Sequence, residues 1–181
     1  MTGCVALLPG HGAKPTGWDP GARSPAGWSE AELVRDVTAV AWRELERRRC
    51  QVEIVGAGSY AQRGAAADAG PRLDVIVQLH ADASPADVGP DVGRVFHWPR
   101  NAAGATIARA IAAELGALLP WPVHVVAAEP EWGNARACLA AVRGTSVLVE
   151  LGFTDGVEGR VVLPDRATDI GLALARALAQ R

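Results

Sequence analysis

Two stretches of this chain, Leu73-Asp74-Val75-Ile76-Val77-Gln78-Leu79 and Val147-Leu148-Val149, are apolar almost without interruption. A strand that reads this way needs cover on both faces, as in a parallel sheet flanked by helices. The rest of the chain supplies that cover. Short β-rich runs at Cys4–Leu8, Val52–Val55, Leu73–His80, Val92–Trp98, Val123–Ala127 and Ser146–Phe153 alternate with segments of helical period. Leu33, Val37, Val40, Ala41 and Leu45 mark a helix from Glu30 to about Arg48, opened by the capping box Ser29-Glu30-Ala31-Glu32. Ile107, Ile111, Leu115 and Leu118 mark another after Asn101. A shorter helix is expected over Asn134 to Val142, and Ile170, Leu174 and Leu178 mark the last. The expected class is α/β: one domain over residues 1–181, with a mostly parallel sheet of about six strands and helices on both faces. The chain has 181 residues, 49% of them hydrophobic, enough for one sizeable core. Gly10–Gly27, rich in Gly and Pro, reads as the longest irregular stretch.

Charge narrows the function classes. A formal net charge of −2 leaves no basic footprint for nucleic acid and no electrostatic pull toward a membrane. No apolar run approaches the roughly 18 residues of a spanning helix. The first residues lack a basic n-region and their apolar run stops at Pro9, so the expectation is a chain made in the cytoplasm without a signal peptide. Cys4, Cys50 and Cys138 form neither a CxxC pair nor a disulfide framework; Cys4 and Cys50, beside apolar runs, read as buried structural thiols.

Open α/β sheets collect ligands at the carboxyl ends of their strands. His11 follows the first run through Pro9-Gly10, His80 closes Leu73–Leu79, and Glu150 interrupts the apolar run Val147–Phe153. A carboxylate inside such a strand is costly unless paired or put to use. Glu32 has the capping duty, which leaves Glu30 either to complement the helix dipole or to act in a site. Two histidines and one carboxylate make a catalytic zinc set with a fourth position for water, and Glu150 is then the candidate general base. Taken singly, each histidine also reads as a hydrogen-bonded structural residue. His97 reads as a surface or groove residue and His124 as structural. Trp18, Trp28, Trp98, Trp121 and Trp132 suit either a glycan or peptide groove or ordinary packing.

The words around these residues narrow the choice. Pro9-Gly10-His11-Gly12, then Asp19-Pro20-Gly21-Ala22 with Glu30 opening a helix, then Gln78-Leu79-His80-Ala81-Asp82-Ala83, then Val147-Leu148-Val149-Glu150-Leu151-Gly152-Phe153 span nearly the whole chain. In this order they resemble the zinc-dependent N-acetylmuramoyl-L-alanine amidases of bacterial autolysins and phage endolysins. The resemblance implies zinc held by His11, Glu30 and His80, with Glu150 activating a water and passing its proton to the leaving amine. It implies a peptidoglycan substrate, cut between the lactyl carbonyl of N-acetylmuramic acid and the first L-alanine; with no export signal visible, the expected route to the wall is release of the phage or prophage kind. Arg63 resembles a recurrent family arginine, with a structural role as the plainer reading. The chain departs from the pattern in the long join Ala13–Trp18, at Leu8, at Asp82 and at Thr154-Asp155-Gly156, none of which removes a proposed ligand or base. The interval from Asp82 to Val92 is too short for the inhibitory helix some members insert, so an uncovered groove is expected. The same four residues also suit a zinc amidohydrolase or peptidase acting on a small acyl amino acid. A wall-binding protein without catalysis is a third reading, which an intact Glu150 disfavours. Oligomeric state and stem preference are not legible.

Overall fold

The computed structural model describes residues 4–14, 16–56, 62, 65–66, 73–83 and 91–180. Six strands form one sheet: β1 (Cys4–Pro9), β4 (Gln51–Ile54), β5 (Val75–Asp82), β6 (Gly93–His97), β7 (Val123–Ala127) and β8 (Ser146–Phe153). Their spatial order is β4-β1-β5-β8-β6-β7. Every pairing is parallel except β6 with β8, so the sheet is mostly parallel, with its last two strands running against the rest. The α/β architecture expected from the sequence is the one observed.

Five helices are described: α1 (Glu30–Arg47), α2 (Ala102–Gly116), α3 (Gly133–Ala140), α4 (Gly159–Asp165) and α5 (Ala167–Ala179). Alternation along the strands divides the core in two. Val75, Val77, Leu79 and Ala81 of β5, with Val147, Val149 and Leu151 of β8, join the larger core with the apolar stripes of α1, α2 and α5. The intervening residues face the other way. There Phe96 and Leu148 pack with Ala135, Cys138 and Leu139 of α3, and Ala6, Leu8 and Ile76 pack with Val142. This second face is only thinly covered, and it is the face that carries His80 and Glu150.

The capping box at α1 forms as written: Ser29 Oγ accepts from the Glu32 backbone N–H, and Glu32 Oε2 accepts from the Ser29 N–H at 2.8 Å. Leu33, Val34, Val37, Ala41 and Leu45 are the buried stripe behind it. Asn101 caps α2 in the same manner, accepting from the Gly104 N–H at 2.9 Å.

Two elements differ from the sequence reading. The stretch expected to be irregular holds a small antiparallel hairpin, β2 (Gly12–Lys14) with β3 (Gly17–Asp19), pairing Gly12 with Asp19 and Lys14 with Gly17. Helix α4 was not anticipated; at seven residues with Pro164 inside it carries no helical period long enough to read. Of the cysteines, Cys4 is buried as expected, whereas Cys50 is only partly so. Arg63, and positions 84–90 of the interval expected to leave the groove uncovered, lie outside the described residues.

Candidate metal centre

Three segments converge at the carboxyl ends of β1 and β5. His11 lies just past β1, His80 near the end of β5, and Glu30 is the first residue of α1. The chain reaches this arrangement through two close approaches. The Gly10 N–H donates to the Leu79 carbonyl at 2.7 Å, tying the end of β1 to β5. A Cβ on Gly10 would fall 2.4 Å from the His80 ring, so this backbone can lie against the imidazole only because position 10 is glycine. Gly21 is a second such point. Its φ is +65°, and a Cβ there would fall 2.4 Å from Glu30 Oε2 and 2.7 Å from the His11 ring.

Glu30 sits at the centre, 3% exposed. Its Oε1 lies 2.9 Å from His80 Nδ1 and accepts from the Ala81 N–H at 3.1 Å. Its Oε2 lies 3.3 Å from His11 Nε2 and accepts from the Ala22 N–H at 3.0 Å. Burial pushes the Glu30 carboxyl up. The hydrogen bond with His80, the charges of His80 and His11 and the Ala22 N–H together outweigh it, so the group lies below the ordinary glutamate range. The two imidazoles meet edge to face, ring centroids 5.4 Å apart. One ligand atom from each of His11, Glu30 and His80 can be chosen so that all lie within 4.8 Å of one another. Two imidazole nitrogens and a carboxylate oxygen at this spacing are a donor set suited to zinc.

Asp19 is a member of this site that the sequence reading did not single out. Its Oδ2 lies 2.8 Å from His11 Nδ1, so the other ring nitrogen is the one turned toward Glu30. Lys14 forms an ion pair with the same carboxylate oxygen, and the Gly21 N–H donates to Oδ1 at 3.1 Å. The Lys14 hydrogen bond foremost, then that of His11 and the Gly21 N–H, overcome partial burial and hold Asp19 far below the usual carboxylate range. A carboxylate behind a ligating histidine fixes its tautomer and ring orientation. The signal in the sequence was the Asp-Pro-Gly-Ala word; its partner was not visible, because the β2–β3 hairpin is what returns Asp19 to His11.

Glu150 lies on the next strand. The β5–β8 register pairs it with His80, one strand spacing away, about 4.8 Å. Its Oε2 is enclosed and has no hydrogen-bond partner among the described residues. Burial first, then the charges of Asp82 and Glu30, push its carboxyl well above the ordinary range, against the opposing charge of Arg94. A cavity of about 480 Å³ opens over this face, lined by His11, Glu30, His80, Asp82, Asn134 and Glu150 among others.

The remaining aromatic and histidine candidates fall elsewhere. Trp121 is buried and donates to the Leu151 carbonyl at 3.1 Å; Trp28 donates to the Arg160 carbonyl at 2.9 Å. Trp98 lies under the Arg136 guanidinium, and Trp18 is 57% exposed on the hairpin. His124 is exposed on β7, and His97 Nδ1 is bonded to the Trp98 carbonyl. Trp132 lines a cavity beside Asp82 and Glu150, on the face that carries His80.

A mostly parallel α/β sheet with a His–carboxylate–His cluster at its strand ends is the layout of an α/β domain with a candidate metal site, and solved structures share the whole architecture. N-acetylmuramoyl-L-alanine amidase AmiC2 of Nostoc punctiforme is similar at a TM-score of 0.81 and 18% identity, over 98% of this chain and 96% of that one. Ami1 from Mycobacterium abscessus is similar at 0.78 and 16% identity, over 97% and 96%. The catalytic domain of CD27L endolysin, which targets Clostridia difficile, is similar at 0.75 and 15% identity, again over 97% and 96%. No curated protein sequence matches significantly. The chain belongs to the N-acetylmuramoyl-L-alanine amidase family of hydrolases, whose model matches residues 5–180. That family acts on peptidoglycan. Among the described residues no helix is long and apolar enough to cross a membrane.

Proposed function

We propose that the chain acts as a single catalytic domain that hydrolyses the amide between the lactyl carbonyl of N-acetylmuramic acid and the first L-alanine of the peptide stem. In this reading His11, Glu30 and His80 hold a zinc ion and Glu150 is the general base. The observation that carries it is the pairing of a closely spaced two-histidine, one-carboxylate cluster with a partnerless, enclosed carboxylate oxygen one strand away. Leaving such an oxygen unsatisfied costs about 1–3 kcal/mol or more, a cost that a structural role does not explain.

Zinc bound there supplies a water of lowered pKa and polarises the scissile carbonyl. The protein's own part is placement and proton transfer. Asp19 holds His11 in the tautomer that presents Nε2 to the cluster. The two backbone N–H groups on Glu30 keep its carboxylate from rotating. Glu150 takes the proton of the attacking water and returns it to the alanine nitrogen as the C–N bond breaks. A carboxyl whose pKa is raised well above the ordinary glutamate range by burial suits both halves of that task.

The test is metal replacement. Chelator-treated protein is expected to release no L-alanine-headed peptide from purified peptidoglycan, and one equivalent of zinc to restore release. His11→Ala and His80→Ala should each lose both zinc and turnover. Chelated protein as active as the loaded form would refute the zinc reading.

A further inference from the structure

A row of polar residues crosses four strands on the face of the metal cluster. The register pairs His80 with Glu150, Glu150 with Arg94, and Arg94 with His124. Directly opposed residues on neighbouring strands project to the same face, so the row continues the line of metal ligand and base outward onto a guanidinium. The 480 Å³ cavity over the cluster continues into a second of about 200 Å³, and the two share Asp82, Asn134, Ala135 and Glu150. Arg94 and Trp132 line this extension.

Arg94 is half-buried and oddly placed for a structural arginine. Its guanidinium lies 5.4 Å from the Trp132 ring centroid, and Trp132 is braced edge-on by Phe96 at 5.1 Å. Among the described residues no hydrogen bond or ion pair engages it. A guanidinium has five N–H donors in a rigid fork matched to a carboxylate, and stacking on an indole fixes the plane of that fork without using the donors. Among the described residues lining the two cavities Arg94 is the sole lysine or arginine, in a lining that also holds the carboxylates Asp82, Glu131 and Glu150. Helix α3 begins beside it, with Gly133 and Asn134 in the cavity wall and no side chain capping its first turn, so its first N–H groups border the same space.

The chemistry of the substrate decides what this fork can take. In the reading above, the lactyl carboxyl is consumed in the scissile amide and the sugar carries no other acid. An anion near the bond must therefore belong to the peptide. Arg94 lies two strand spacings from His80, about 10 Å, which sets it beside the peptide and away from the scissile carbonyl.

We propose that Arg94, on its Trp132 platform, is the specificity-determining anchor for a free carboxylate on the peptide stem just beyond the scissile alanine. The inference rests on the amidase reading, and its test separates the two. Two muramoyl-tripeptides are compared, identical except that the residue after L-alanine carries a free or an amidated carboxyl. The zinc-loaded protein is expected to show a KM about 10- to 100-fold lower for the free acid, the range of a charge-assisted bond. Arg94→Gln should erase that preference, raising KM for the acid to the KM for the amide, which itself stays nearly unchanged; because the Arg94 charge also acts on Glu150, any change in kcat should be the same on both substrates. A KM preference that survives Arg94→Gln, or an equal rise in KM on both substrates, would overturn the anchor. If Arg94→Gln does not fold, Arg94→Lys decides: it should lose part of the preference, and retaining all of it would overturn the proposal. Failure of the unaltered protein to cleave either substrate would count against the amidase reading alone. Calorimetry with the two muramoyl-tripeptides on zinc-loaded protein then decides the anchor, through tighter binding of the acid that Arg94→Gln abolishes, or equal binding that refutes it.

Discussion

Asp19 lies 2.8 Å from His11 Nδ1 and is gripped by Lys14, so the orientation of one proposed ligand depends on a carboxylate outside the cluster. Asp19→Asn keeps the shape but removes the charge, and zinc affinity should fall about 10- to 100-fold, as for other groups behind a ligating histidine. Competition against a chromogenic chelator reads this directly; unchanged affinity would remove Asp19 from the site. Gly21→Ala should be more damaging. The substitution strains a left-handed backbone by about 1–2 kcal/mol and drives a methyl into both Glu30 and His11. Both thermal stability and zinc loading are expected to drop, whereas a stability loss with full zinc loading would show that the collision is absorbed elsewhere. His11, Glu30, His80 and Glu150 were legible because charged or titratable residues stand out at strand ends and at a helix start. Asp19 and Arg94 were not. Their partners depend on a hairpin and on an antiparallel register, and neither leaves a trace in local spacing.

Among the elements, α1 both covers the sheet and delivers Glu30. Its capping box satisfies N–H groups of the first turn, so Ser29→Ala should cost about 1 kcal/mol in denaturant unfolding. Because Glu30 is the first residue of the helix, zinc affinity should fall with it; an unfrayed helix with unaltered affinity would contradict this. The long-period elements were readable: all six strands of the sheet and the helices α1, α2, α3 and α5 stand where apolar periodicity put them, within a few residues. The hairpin β2–β3 escaped because two three-residue strands among Gly and Pro carry no alternation to read. The side of the sheet that holds the site also escaped. Where both faces are apolar, as at Val147-Leu148-Val149, parity cannot say which face Glu150 joins, and only the position of α3 over Leu148 reveals it.

Over the whole molecule, Glu150, the proposed base, also bears on stability. Its carboxyl titrates well above the ordinary range in the folded chain. Below the unfolded value both states are protonated and the group has no effect. As pH rises past that value the unfolded chain ionises first, and stability is lost until pH passes the folded value. Chelated Glu150→Gln protein escapes this loss, so it should melt higher than chelated wild type near neutrality, with the two converging below about pH 4. A melting point equal to wild type at every pH would mean that the carboxyl is not perturbed. Zinc should stabilise the molecule as a whole, by about 2.7 kcal/mol at a hundredfold excess over its dissociation constant. Mass spectrometry of purified peptidoglycan digested with the zinc-loaded protein, with Glu150→Gln alongside, reads the bond that is cut and the part of Glu150 together. Free stem peptides beginning with L-alanine, intact glycan strands, and no release by Glu150→Gln despite full zinc occupancy are expected. Turnover by Glu150→Gln at the wild-type rate, or cleavage at any other bond, would contradict the proposed function.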